Sequence, residues 1–267
     1  MDLAWDRDNN LVSVEGDPIL MDQTVDMDPT TAAKVSKWAL TFASKKKEII
    51  GTLAGPLDYI ICKIQECVLG TILAEALLDY GREAVGVQIG LMNEGGIRSG
   101  MNGGLVSVAD VETVSTIPNE LVYFDYSGAQ IAIMISDCLD YGVSRLTGRP
   151  ITSFPHFAGL RYAYNASEPR YHKLKKVEVY VDGSWKRLEK DCIYRIGSPN
   201  FVAEGGDGFI PGLIQGESFF SMNGHPLISE VMKSWFLKKK FVGDTTDGRA
   251  SKDPNVKWND NVGIIPL

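Results

Sequence analysis

The apolar segment "AVGVQIGLM" runs directly into "NEGGIRSG", so an asparagine, two adjacent glycines and an arginine stand at the end of a run with strand character. A glycine pair costs backbone entropy, and at a strand end it predicts a sharp turn or a close approach of backbone to another group. On this reading Gly95 and Gly96 turn the chain so that Asn93 and Arg98 are presented from one side. A second glycine-rich elbow, "SPNFVAEGGDGF", sets Asp207 among Gly205, Gly206 and Gly208 and places Phe201 ahead of them. Together the two segments offer a cation, an aromatic ring and a carboxylate, groups that suit a phosphate, a base and a ribose.

Around these turns the chain alternates strand and helix patterns. "LAWDRDNNLVSVEG" reads as a hairpin about an Asp-Asn-Asn turn. Asp28 and Pro29 supply an N-cap and a first helical residue, and Val35, Trp38, Ala39 and Phe42 recur at helical spacing. They predict a helix that buries one face and ends in the basic "SKKKEI". "GTLAGPLD" reads as a looser connection. Helical periodicity returns in "ECVLGTILAEALLDYG", with Gly81 as the expected stop, and in "SVADVETV", "GAQIAIMISDCLDYGVSRL" and "HPLISEVMKSWFLKKKF". Strands are expected at "AVGVQIGLM", "ELVYFDYSG", "LRYAYNA", "LKKVEVYVDG", "SWKRLEKD" and "CIYRIGSPNFVAEGGDGF", with a hairpin at Asp182-Gly183. "DTTDGRASKDPNVKWNDNVG" reads as a polar tail. The fold class expected is α/β, mixed β-sheets flanked by helices.

Composition excludes several partners. The 267 residues, 44% of them hydrophobic, suffice for one large domain or one and a half. With 27 basic against 34 acidic side chains the formal charge is −7, so no global field draws the chain to nucleic acid or an anionic membrane. No apolar run reaches the ~18 residues needed to span a bilayer. The acidic start "MDLAWDRDNN" lacks the basic and apolar regions of a signal peptide, which leaves a cytosolic protein or a chain without its own beginning as the expectation. Cys62 and Cys67 lie five apart, a spacing equally open to a short disulfide and to two buried thiols. The sequon Asn165-Ala166-Ser167 matters only in a secreted chain.

The ordered set "CKIQECVLG", "NEGGIR", "LVSVADVETV", "FPHFAGLRYAY" and "NFVAEGGDGF" resembles the C-terminal substrate-binding domain of the 5'-nucleotidases, whose relatives include UDP-sugar hydrolases and apyrases. The opening "LAWDRDNNLVSVEGDPILMDQTVDMDP" resembles the end of that family's N-terminal metallophosphoesterase domain. The resemblance implies a tail of that domain plus linker at 1–52 and a C-terminal substrate-binding domain at 53–267. It also implies a division of labour: two divalent metal ions, such as zinc, activate water in the N-terminal domain, while the C-terminal domain grips the nucleotide and carries it to the metals. The parent then hydrolyses nucleoside phosphates to nucleoside and phosphate, at the cell surface or outside the cell. With His156, His172 and His225 its only histidines, and none in an Asp-x-His, Asn-His-Glu or Gly-His-x-His string, this chain is expected to hold no catalytic metal and no catalytic residue. Its expected partners are a nucleotide or nucleoside and the N-terminal domain. The alternative is a free-standing nucleotide-binding or interaction module without catalysis.

Residue by residue, Asn93 and Arg98 match the family's phosphate-holding pair, Phe201 the stacking aromatic and Asp207 the ribose-binding acid. Lys63 falls where the family carries a second phosphate-binding arginine, keeping charge without the planar fork. Gly159, within "FPHFAGLRYAY", belongs to the same candidate set. In "TIPN", Asn119 keeps the family's asparagine while Ile117 takes the place of the phenylalanine that forms the second jaw of the base clamp. Losing that ring forfeits stacking worth about 1 to 3 kcal/mol per base. Val68 and Thr71 replace two asparagines near a helix start, which implies altered hinge packing, and Cys62 and Cys67 sit where animal relatives form a disulfide.

Overall fold

The computed structural model describes residues 1–140, 142, 145, 148, 150–209, 226–246, 248–253 and 255–257; His225 and the end of the expected tail lie outside them. The chain divides into two units, Met1–Ser44 and Lys45–Leu267.

In the first unit β1 (Asp2–Trp5) and β2 (Leu11–Glu15) form the expected antiparallel hairpin. Asp6 closes its turn by accepting from the backbone N–H groups of Asp8 at 2.8 Å and Asn10 at 2.9 Å. The helix α1 (Pro29–Lys47) starts where Asp28 Oδ1 accepts from the Thr31 N–H at 2.7 Å. The expectation that this helix buries one face is corrected: none of its residues is buried, and Trp38 is 70% exposed. A two-stranded hairpin is too small to cover an apolar helix face.

The second unit continues with β3 (Ile49–Leu53), α2 (Val68–Val85), β4 (Ile89–Asn93), β5 (Gly104–Ser107), α3 (Val108–Val114), β6 (Leu121–Ser127) and α4 (Gly128–Cys138). Then come β7 (Pro155–Ala158), β8 (Leu160–Tyr164), β9 (Leu174–Val181), β10 (Ser184–Arg187), β11 (Ile193–Pro199), α5 (Asn200–Ala203), α6 (Ile228–Lys239), β12 (Phe241–Val242) and β13 (Ala250–Ser251). The strands form three sheets, ordered β6-β11-β4-β7, β10-β9-β8-β13 and β12-β3-β5. The architecture is therefore mixed α/β. Capping boxes at Ser107 with Asp110 and at Ser127 with Gln130 start α3 and α4 where the sequence places them.

The central sheet β6-β11-β4-β7 is buried on both faces, and side-chain alternation sorts its residues into two cores. Ile89 and Leu91 of β4, with Val122, Phe124 and Tyr126 of β6, pack in the core shared with α4, β8 and β9. Met92, Leu121 and Tyr123 face the opposite core, formed with α2, α3 and α6. The helix α2 lies so close over β4 that a Cβ on Gly90 would sit 2.0 Å from the Ala74 carbonyl oxygen.

Five further expectations are corrected. The strand expected through "CIYRIGSPNFVAEGGDGF" ends at Pro199, where the chain turns into α5 and then a 3-10 segment over Gly206–Gly208. Gly81 does not end α2; it is an interior, buried position where a Cβ would strike Val87 and Tyr123, and the helix stops at Gly86 in the left-handed region at φ 73°. The helix expected to extend through "LDYGVSRL" ends at Cys138. The "GTLAGPLD" connection begins in a strand, β3, and β5, β7, β12 and β13 also went unread because strands this short carry almost no alternation. The polar tail is not all solvent-facing: Arg249 is 2% exposed, ion-paired to Glu75 at 2.7 Å, and β13 runs parallel to β8.

Candidate functional site

Strand direction in the central sheet decides which residues meet. β4 and β11 are parallel neighbours, Ile196 opposite Ile89, so both chains leave the sheet at the same edge. The first exit is Asn93 and its glycine turn; the second leads through Asn200 and Phe201 to Asp207. The antiparallel flanking strands enter at that edge: β7 places Pro155 opposite Asn93, and β6 places Leu121 opposite Pro199. Four segments far apart in sequence thus converge at the carboxyl ends of parallel strands, where open α/β sheets form ligand crevices.

Asn93 and Asp207 touch directly. Asn93 is 1% exposed, and its Nδ2 donates to Asp207 Oδ2 at 2.7 Å. Asp207 Oδ1 accepts from Thr152 Oγ1 at 2.9 Å, and Ser153 Oγ accepts from the Gly95 N–H at 3.1 Å. Asp207 itself holds a left-handed backbone, φ 56°, a conformation asparagine and aspartate tolerate better than most residues. Thr152 and Ser153 were missed by the sequence reading; "ITSFPHF" precedes a short strand and carries no chemical signature of its own.

The role expected of the glycine pair changes. Neither Gly95 nor Gly96 adopts a positive φ. A Cβ on Gly95 would lie 3.3 Å from both Asn93 Nδ2 and Asp207 Oδ2, and one on Gly96 would lie 3.1 Å from Asn93 Oδ1. The pair therefore leaves room for the Asn93–Asp207 contact and does not serve a left-handed turn; the turn itself is a short 3-10 segment over Glu94–Gly96.

Arg98 is exposed at the mouth, its Nη1 donating to the Gly95 carbonyl at 3.0 Å. Lys63 ends the 3-10 segment Ile60–Lys63, inside the loop closed by the Cys62–Cys67 disulfide. Burial pushes the Glu94 carboxyl above its ordinary value, with Lys63 opposing the rise, Asp207 adding to it and Arg98 opposing it, so these four charges share one neighbourhood. Phe201 is 42% exposed and its ring lies against Gly206, where a Cβ would come within 2.3 Å of Cε1. Ile117 is 40% exposed. Asn119 works through its backbone, its carbonyl accepting from the Ile228 N–H at 2.9 Å, while the Glu120 N–H donates to Asn200 Oδ1 at 2.9 Å and ties this entry to the α5 start. Gly159 sits in the β7–β8 turn at φ 69°, its carbonyl accepting from the Tyr180 N–H; none of its described hydrogen bonds reaches the Asn93–Asp207 cluster.

Behind the site, His156 is wholly buried. Its Nε2 donates to the Cys62 carbonyl at 3.1 Å, and burial lowers its pKa to about 4, so the ring is neutral near pH 7. Cys62, Cys67 and His156 are the only three His, Cys, Asp or Glu side chains among the described residues close enough to share an ion. Both sulfurs are spent in the disulfide, so this cluster does not fit a pair of catalytic divalent metals.

Comparison with known proteins identifies the family and the fold. Residues 49–213 match the model of the 5'-nucleotidase C-terminal domain. A 5'-nucleotidase-related protein of Glossina morsitans morsitans is 25% identical over 77% of this chain and 39% of its own length. The Homo sapiens 5'-nucleotidase is 24% identical over 92% of this chain and 44% of its own. The crystal structure of a 5'-nucleotidase precursor from Thermus thermophilus superposes with a TM-score of 0.67 at 26% identity, covering 93% of this chain and 48% of that one. The chain thus spans less than half the length of these relatives. With more than half of its residues matched by the family model, the chain belongs to the 5'-nucleotidase C-terminal domain family.

Proposed function

We propose that this chain is the nucleotide-recognition half of a 5'-nucleotidase-type phosphohydrolase, binding base, ribose and phosphate at the Asn93–Asp207 edge. The observation that carries the reading is the convergence of Asn93, Arg98, Asp207 and Phe201, drawn from two separate motifs, at the exit of two parallel strands. Arg98 and Lys63 would hold phosphate, with the Arg98 fork able to make paired hydrogen bonds. The Asp207 carboxylate, held by Asn93 and Thr152, is oriented to accept from a ribose hydroxyl. The exposed faces of Phe201 and Ile117 would enclose the base.

The parent reaction on this reading is hydrolysis of a nucleoside phosphate, with two divalent metal ions supplied by an N-terminal metallophosphoesterase domain. This chain's part is to bind and orient. The exposed apolar residues of the first unit, among them Leu3, Trp5, Val35 and Trp38, suit a surface covered by that domain. A Cys62–Cys67 disulfide and the sequon at Asn165 suit an oxidising compartment at or outside the cell surface.

Calorimetric titration of the purified chain, without metal, with adenosine, AMP and ADP tests the binding reading. Saturable binding is expected, weakened for AMP and ADP by Arg98→Ala and for all three ligands by Phe201→Ala; a folded chain that binds none of the three refutes it. Mixing the chain with its N-terminal domain and a divalent metal should then release phosphate from AMP, whereas the chain alone should release none.

A further inference from the structure

We propose that Glu94 sets the charge preference of this site, cancelling one of its cations so that nucleotides with a single phosphate are favoured over di- and triphosphates. The inference rests on the nucleotide reading above and deepens it. Glu94 follows Asn93 directly and opens the 3-10 turn that ends at Gly96. Its backbone is anchored on both sides: the N–H donates to the Phe154 carbonyl at 3.0 Å, and its carbonyl accepts from the Ile97 N–H at 2.8 Å. The backbone of Glu94 is therefore held in the same turn that positions Asn93.

Its side chain, by contrast, has no structural task. Among the described residues the Glu94 carboxylate accepts no hydrogen bond and forms no ion pair, although it is partly buried. Every other charge that reaches it, from Lys63, Asp207 and Arg98, belongs to the candidate site. Among the described residues at this edge are two cations, Lys63 and Arg98, and two carboxylates, Glu94 and Asp207. Asp207 is committed to Asn93 and Thr152. Glu94 is the acid left to oppose an incoming anion, and its opposition grows with the ligand's charge because Coulomb energy is proportional to it. A neutral nucleoside feels almost none of it, a monophosphate some, a diphosphate more. Partial burial limits screening by salt, so the discrimination acts under physiological conditions.

The test is titration of adenosine, AMP and ADP into the native chain and the Glu94→Gln variant near neutral pH. Glu15→Gln, on the exposed hairpin, serves as a control for the change in net charge. The expected result is adenosine affinity unchanged, AMP tightened about threefold and ADP about tenfold in Glu94→Gln, with no graded gain in Glu15→Gln. Affinities for AMP and ADP that stay level, or rise in equal measure with adenosine, overturn the role of Glu94 while leaving the nucleotide reading intact. Failure of all three ligands to bind either folded protein overturns the nucleotide reading, and the role of Glu94 with it.

Discussion

The two sides of the candidate site are built differently. On the β4 side, Asn93 is buried, Asp207 is held by two side chains, and Gly90 lies against the α2 backbone, so every group is located by packing or a hydrogen bond. On the base side, Phe201 and Ile117 are each about two-fifths exposed, and hydrogen bonds at Asn119, Glu120 and Asn200 tie their segments down. The difference teaches that, on the proposed function, a ribose would meet preorganised groups, whereas the base would meet an open surface that a ligand must complete. Preorganised groups lose little entropy on binding, so substitutions on the rigid side should cost more.

The contrast can be broken most severely at the strand beneath Asn93. Gly90→Val would drive a Cβ into the Ala74 carbonyl, 2.0 Å away in the present geometry. A loss of about 4 kcal/mol or more is expected, read as a collapse of the urea midpoint. A native midpoint would mean that α2 can lift from β4 at little cost.

Next in size is the acid sensitivity conferred by His156. Its folded pKa of about 4 lies below the ordinary 6.5, so the unfolded chain takes up the proton first. Stability from this residue is present above pH 6.5 and lost as pH falls towards 4, to the extent of roughly 3 kcal/mol. Urea midpoints measured across that range should fall more steeply for the native chain than for His156→Gln. Parallel curves would show that the ring is not buried neutral.

Arg98→Ala sharpens the comparison at the mouth. Binding of AMP should weaken by about 10- to 100-fold while adenosine is unaffected, since only the phosphate loses its charged donor. Equal losses for both ligands would place Arg98 against the nucleoside. The smallest effect is expected on the open side, where Ile117→Phe should tighten adenosine and AMP alike by about fivefold through restored stacking. If affinity does not move, Ile117 does not face the base.

Much of the site could be read in advance because its residues sit in short strings whose members stay together. Asn93 to Arg98 starts at the end of β4, and Phe201 to Asp207 follows the end of β11. The N-cap at Asp28 was legible for the same reason, since a cap and its partner lie three residues apart. What escaped was whatever depended on a distant neighbour. Thr152 and Ser153 join the site only because β7 pairs with β4. Arg249, in a polar stretch, is buried only because Glu75 of α2 receives it. Gly81 has the look of a helix stop, yet Val87 and Tyr123 make it a contact point inside the helix.

By itself the sequence determined where the long helices run, the N-cap at Asp28, the long alternating strands, the hairpin at Asp182-Gly183 and the chemical identity of the candidate groups. These are set by periodicity and by hydrogen bonds within a few residues, which act locally. Only the tertiary structure decided that β4 and β11 lie side by side in parallel, which brings Asn93 to within 2.7 Å of Asp207 across more than a hundred residues of chain. It also decided that the glycine pair makes room for that contact. Strand order and direction are settled by the burial of two whole cores, a quantity to which every element contributes and which no single stretch contains.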